Sequence, residues 1–184
     1  AVSIADSGGS DARFSTDASL AIIRTVDHVH VAVINMIGRL RPVGLDELGL
    51  AAAIEHCVDH WRQRLPDTRF VVSVRGDFGG LSESLTLTVY RLIQEGLTNI
   101  HKHAGATQAQ ITLERLAAGR DGPDDLRLMV ADDGRGMDPG ARVSRFGLSG
   151  MRERVELSGG TFVLASAPGQ GLQFAVRLLV NGDK

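Results

Sequence analysis

A single cysteine, Cys57, stands among 184 residues. An internal disulfide framework is therefore excluded, and a reducing compartment fits. An excess of positive charge is missing too: 20 Lys and Arg face 22 Asp and Glu, a formal net charge of −2. Without a basic stripe to meet a phosphate backbone, no nucleic-acid partner is expected. No apolar run reaches the roughly 20 residues of a membrane span, and no signal peptide opens the chain. The expectation is a soluble, cytoplasmic chain. It begins on Ala1 instead of Met, so it reads as a fragment, one that would reach a membrane only through regions this sequence lacks.

A hydrophobic content of 43% supports one substantial core with a helical appendage. Residues 1–15, rich in Ser, Gly, Asp and Ala, read as a disordered tail. Residues 16–62 read as a helical segment in two pieces. In the first, 16–40, Leu20, Ile23, Val26 or Asp27, His30, Val33 or Ile34, and Ile37 recur at three- and four-residue steps, an apolar stripe that wants a partner helix. Arg41-Pro42 ends it, because proline disfavours helix in the residue before it and has no N–H of its own. The second, 45–65, points Leu48, Ala52, Ile54, Val58 and Trp61 inward. His56 and His60 share a face at metal-capable spacing, but no further ligand lies nearby and the pair reads as solvent-facing. His28 and His30 belong to a hydrophobic stripe and do not read as phosphoacceptors.

Residues 63–184 carry the chemistry. In 86–104, TLTVYRLIQEGLTNIHKHA, the residues Val89, Leu92, Ile93, Leu97, Ile100 and Ala104 fall on one arc at about 100° per residue. Glu95, Asn99, Lys102 and His103 stack along its edge at i, i+4, i+7 and i+8. An acid, an amide, a cation and an imidazole thus line one stripe, which matches what a magnesium nucleotide needs. Around this helix, alternation predicts a strand near 70–75, a hairpin from 109–116 and 126–131, and a second hairpin from 161–166 and 172–180. A helix is expected over 148–157. The fold class is α/β, a two-layer sandwich of a mixed, largely antiparallel sheet with helices on one face.

Three glycine-rich stretches accompany that helix. Asp132-Asp133-Gly134-Arg135-Gly136 follows an apolar strand. There Asp132 could accept from the exocyclic amine of a purine while the glycines admit a flat ring. Phe146-Gly147-Leu148-Ser149-Gly150-Met151 opens a helix whose N–H groups, at Gly147, Leu148, Gly150 and Met151, could cradle phosphate, with Arg152 or Arg154 adding charge. Gly169-Gln170-Gly171 is a tight turn between strands.

Taken in this order, residues 90–180 resemble the ATP-binding catalytic domain of sensor histidine kinases, in the gyrase, Hsp90, histidine kinase and MutL superfamily. YRLIQEGLTNIHKHAGA resembles the N box, DDGRGMD the G1 box, FGLSGMRERVELSGG the G2 box and PGQG the G3 turn. Upstream, RLRPVGLDELGLAAAIEHCVDHW is similar to the junction out of the dimerisation helices in the nitrate- and hexose-phosphate-sensing (NarL/UhpB-type) group. The resemblance implies a Bergerat-type ATP-binding fold and the cofactors ATP and Mg²⁺. It also implies a homodimer in the full-length protein and a response regulator receiver domain as partner. Glu95 would be the base or orienting carboxylate, Asn99 the Mg²⁺ ligand, and Lys102 and His103 would approach the phosphates. Asp132 would read adenine over Gly134 and Gly136. Residues 137–146 would form the ATP lid, with Gly147 and Gly150 as its phosphate-side hinge.

The chain departs from the pattern in three places. Arg145 and Leu172 stand where the family usually has glycine and often has threonine, and the acceptor-histidine box is missing. The fragment is expected to bind ATP without a proper histidine of its own to phosphorylate. A related ATPase or serine kinase is one alternative, opposed by the Arg-Pro junction and the GMRER run. A degenerate interaction module is another, opposed by Glu95, Asn99 and Asp132 and kept open by Arg145.

Overall fold

The computed structural model describes residues 45–117, 122–137 and 145–180, all within one compact unit, Val43–Lys184. The expected tail at 1–15 and helix at 16–40 lie outside these residues, as does 138–144 of the expected lid.

Helix α1 (Leu45–Arg64) opens the unit and is interrupted at Gly49, whose φ of 77° and ψ of 170° are non-helical. Glycine takes such a conformation without a Cβ clash. The break separates Leu45 and Leu48 from the phase of the rest, while Ala52, beyond it, stands roughly opposite Ile54 and Trp61 at about 100° per residue, so the expected inward face is corrected. Leu48 is 63% exposed and Ala52 is exposed, while Leu45, Leu50, Ala53, Ile54, Cys57, Val58 and Trp61 are buried. That buried face belongs to the same core as the sheet and the following helix. The sequence reading groups α1 with the upstream stretch; its packing groups it with the sheet.

Strand β1 (Arg69–Arg75) leads to α2 (Glu83–Asn99). Ser82 caps α2 by accepting from the Leu85 N–H at 3.3 Å, and Glu83 sits in the positive first turn, both favourable at a helix start. The expected core arc of Val89, Leu92, Ile93, Leu97, Ile100 and Ala104 is buried throughout. The expected uninterrupted α-helix to Ala104 is not formed. From Ile100 to Ala104 the chain winds as a π-helical turn, stopped by Gly105 in the left-handed region at φ 59°, ψ 35°.

Strands β2 (Gln108–Leu116), β3 (Asp124–Asp132), β4 (Thr161–Ser166) and β5 (Leu172–Val180) complete the sheet, with α3 (Arg145–Leu157) before β4. The strand order is β1-β2-β3-β5-β4. β1 runs parallel to β2, as a connection through α2 allows, and every other pair is antiparallel. Alternation along the strands buries one face, with Ile111, Leu113, Leu126, Leu128, Val130, Phe174, Val176 and Leu178 joining the helices in the core. Val163 and Leu179, one residue out of phase, are 62% and 52% exposed. The two-layer mixed sheet expected from the sequence is the observed architecture. Helix α2 lies close on this sheet at Gly96, where a Cβ would stand 2.9 Å from Phe174 Cε1 and 3.2 Å from Val130 Cγ1. This close approach sets the height of the neighbouring Glu95 and Asn99.

Candidate functional site

Glu95 and Asn99 are one turn apart on α2 and half-buried. Helix α3 begins at Arg145, three residues before the expected start at 148, so Gly147 falls in its first turn. A Cβ on Gly147 would come 2.5 Å from Glu95 Oε1 and 3.9 Å from Asn99 Nδ2. A carboxylate and an amide thus stand directly against the start of a helix, where N–H groups lack intrahelical partners and the dipole is positive. Acid, amide oxygen and anion-binding N–H groups are brought within reach of one another. Such a set can hold a phosphate and orient a nucleophile or a hard cation. Gly150 has open space around it, whereas the Leu148 and Met151 side chains are buried in the core. Those two residues can therefore offer a ligand only backbone.

The π-helical turn that follows Asn99 meets the glycine loop after β3. The Arg135 N–H donates to the Ala104 carbonyl at 2.9 Å, and a Cβ on Gly134 would overlap the Ala104 backbone. The loop is also stitched to the turn before β5. The Gly169 N–H donates to the Arg135 carbonyl at 2.7 Å, and the Gly171 N–H to the Gly134 carbonyl at 2.8 Å. Gly136, at φ 65°, would place a Cβ on the Ala167 carbonyl, and Gly171, at φ 69°, would place one on the Asp132 carbonyl. Only glycine fits either position. Ser166 adds a polar clasp, since its hydroxyl donates to the Gly171 carbonyl at 2.7 Å and accepts from the Met137 N–H at 2.9 Å.

Asp132 ends β3 on the core-facing side, paired in register with Leu172. Its Oδ1 accepts from the Gly134 N–H at 2.9 Å. Burial raises its carboxyl above the ordinary value, opposed by the N–H groups of Gly134 and Leu172 and reinforced by the Asp133 charge. Asp133 does different work. It accepts from Thr107 N at 2.8 Å, Thr107 Oγ1 at 2.6 Å and Gln108 N at 2.8 Å, and these bonds, led by the Thr107 hydroxyl, hold its carboxyl below the ordinary range. Asp133 is a staple between the β3 end and the β2 start.

Lys102 and His103 are exposed on the π-helical turn. Partial burial, then the Arg135 guanidinium and the Lys102 ammonium, push the His103 imidazole down, with Glu95 pulling the other way. Arg135 thus adds a cation beside His103, which reading the sequence alone did not single out. Its only signal there was its place between two glycines. The Ser166 clasp and the π-helical turn also went unseen, for neither has a signature in residue spacing. Among the described residues no three of His, Cys, Asp and Glu gather to hold a metal ion.

Comparisons with known proteins follow this geometry. Residues 84–182 match the family described as histidine kinase-, DNA gyrase B-, and HSP90-like ATPase. The signal transduction histidine-protein kinase/phosphatase UhpB of Salmonella typhimurium is 42% identical over 144 residues, which are 77% of this chain and 27% of that protein. The sensor histidine kinase LiaS of Bacillus subtilis is 28% identical over 170 residues, 88% of this chain and 44% of that protein. The chain therefore spans about a quarter to under a half of these relatives. Among solved structures, the histidine kinase domain of the blue-light activated histidine kinase from Erythrobacter litoralis EL346 superposes with a TM-score of 0.54 at 20% identity. The overlap covers 70% of this chain and 64% of that one, a likeness of fold.

Proposed function

Since the chain belongs to the histidine kinase-, DNA gyrase B-, and HSP90-like ATPase family, we propose that it is the ATP-binding catalytic region of a sensor histidine kinase. In this reading it transfers the γ-phosphoryl of ATP to a histidine supplied by a dimerisation helix. The observation that carries the reading is the seating of Gly147, at the start of α3, against Glu95 and Asn99. Beyond Asn99 the chain runs on through the π-helical turn to Ala104, which meets the glycine loop that follows the half-buried Asp132.

Each end of the nucleotide has its counterpart. Asp132 accepts from the exocyclic amine of adenine, at the head of a loop that Gly134 and Gly136 let pack onto the Ala104 and Ala167 backbones. The first-turn N–H groups of α3, near Gly147 and Leu148, receive the phosphate oxygens, with Gly150 and Met151 supporting that turn. Lys102 and Arg135 add positive charge, and His103, whose imidazole is pushed down, approaches the phosphates as a ring N–H donor. Asn99 offers an amide oxygen to Mg²⁺, a cation that takes few protein ligands and completes its shell with phosphate and water. When bound, that ion would neutralise charge on the phosphates. Glu95 accepts the proton of the attacking imidazole or orients it. The fold then contributes chiefly position and electrostatics.

A response regulator receiver domain is the proposed recipient of the phosphoryl group, and the parent is proposed to be a homodimer. No described helix is long and apolar enough to cross a membrane. The test is calorimetric titration of ADP and a non-hydrolysable ATP analogue, with Mg²⁺ and with chelator. Mg²⁺-dependent binding lost in Asp132→Asn and weakened in Asn99→Ala is the expected result. Wild-type protein that binds neither nucleotide would overturn the reading.

A further inference from the structure

Helix α1 touches the π-helical turn through an aromatic contact that the function above does not use. Trp61, near the end of α1 and only 8% exposed, holds its ring 5.2 Å from the His101 ring, tilted by 49°. The Arg64 guanidinium lies 5.7 Å from the centre of the same indole, and the His60 ring meets its edge at 6.3 Å. His101 immediately precedes Lys102 and His103, and the turn they share ends at Ala104, against which Gly134 and Arg135 pack. One indole therefore braces the segment that carries two phosphate-facing side chains and abuts the adenine loop. A π-helical turn is a poor helix by itself, so an outside brace has something to fix.

We propose that Trp61 is a positioning residue for nucleotide binding. Packed against the tilted ring of His101, it holds the Ile100–Ala104 turn in its binding-ready shape and makes nucleotide affinity responsive to displacement of α1. The inference rests on the ATP-binding reading. Its logic is that of a pre-ordered site: a turn released from its brace is binding-competent for only part of the time, and apparent affinity falls by that fraction. Because α1 is where the upstream chain enters this unit, a push or rotation delivered there reaches the phosphate side chains without crossing the sheet.

Trp61 is itself buried and its substitution could cost the fold, so the test is placed on the exposed His101 and on the chain's only tryptophan as reporter. ADP is titrated into the full chain while Trp61 emission and the heat of binding are followed in parallel. The wild type should show an emission change that saturates along the calorimetric curve. His101→Ala should bind ADP about 2–10-fold more weakly, the worth of one lost aromatic pair, and should lose most of the emission change. His101→Phe, which keeps a ring, should restore both. ADP binding with constant Trp61 emission, or His101→Ala binding like the wild type, overturns this inference and leaves the ATP reading intact. No heat of binding in the wild type overturns the ATP reading and this inference with it.

Discussion

Replacing Ser166 by alanine should loosen the nucleotide loop while leaving the core whole. The hydroxyl makes two hydrogen bonds, to the Gly171 carbonyl at 2.7 Å and from the Met137 N–H at 2.9 Å, and these join β4, the turn before β5 and the end of the glycine loop. A typical intramolecular hydrogen bond contributes about 0.5–1.5 kcal/mol net. Two such bonds give about 1–3 kcal/mol, and the half-buried setting, where water can replace one partner, favours the lower part, about 1–2 kcal/mol. At roughly 2–4 °C per kcal/mol for a domain of this size, Tm should fall by about 2–8 °C. Ser166→Thr keeps the oxygen on a β-branched side chain that suits a strand, and should recover most of the loss. Thermal unfolding followed by circular dichroism measures the stability change, and ADP titration measures the looser loop as weaker affinity. A Tm for Ser166→Ala within about 1 °C of the wild type, with unchanged ADP affinity, would refute the clasp.

Gly147→Ala should separate function from stability. Its Cβ would crowd Glu95 Oε1 at 2.5 Å and displace the carboxylate, while alanine improves helix propensity by up to about 1 kcal/mol; unimpaired Tm with lost phosphoryl transfer to an added dimerisation helix is the expected pair of results. Asp132 and Asp133 should give opposite pH slopes. Asp132, raised by burial, contributes stability that is full below the ordinary carboxylate value and lost as pH rises through its raised one. Asp133, lowered by Thr107 and Gln108, contributes stability that is present above the ordinary value and lost as pH falls through its lowered one. Melting curves across the acidic range should therefore flatten in opposite senses for Asp132→Asn and Asp133→Asn, and parallel curves would contradict the assignment. Cys57, 8% exposed, has its thiol pushed up by burial, with Tyr90 as hydrogen-bond partner opposing the shift. Its modification by a disulfide reagent should follow the rate of unfolding, and reaction at the rate of a free thiol in native buffer would show the site to be open.

Much of the fold was legible because burial writes a period into the sequence. The arc on α2 and the alternation on β2, β3 and β5 mark faces that meet one core. The phase of α1 was legible only beyond Gly49, where Ala52 stands roughly opposite Ile54 and Trp61 at about 100° per residue. For Leu45 and Leu48, only the backbone of Gly49 reveals that the repeat restarts there. A glycine inside a helical pattern is compatible with an intact helix or a break, and local sequence does not choose.

The site was legible in its residue types and much less so in its arrangement. Glu95 and Asn99 follow helical spacing, and their meeting with Gly147 follows once α3 starts at Arg145. Lys102 and His103 lie beyond Asn99, where the i, i+4, i+7, i+8 stripe assumes continuous α-helix; the turn from Ile100 is π-helical, so that assumption fails where these two residues begin. The glycines divide in the same way. Gly136 and Gly171 are required because their positive φ angles and the carbonyls of Ala167 and Asp132 leave no room for a Cβ, and both carbonyls belong to strands or turns distant in sequence. Gly150, with open space around it, reads identically in the sequence and is under no such demand. What distinguishes a required glycine from a permitted one is the neighbour it admits, and that neighbour exists only after the sheet has closed its β3–β5 register. The glycine loop after β3 is therefore a product of tertiary folding, with Ser166 and the turn before β5 fixing its shape, whereas the Glu95–Asn99 pair is already set by helix α2.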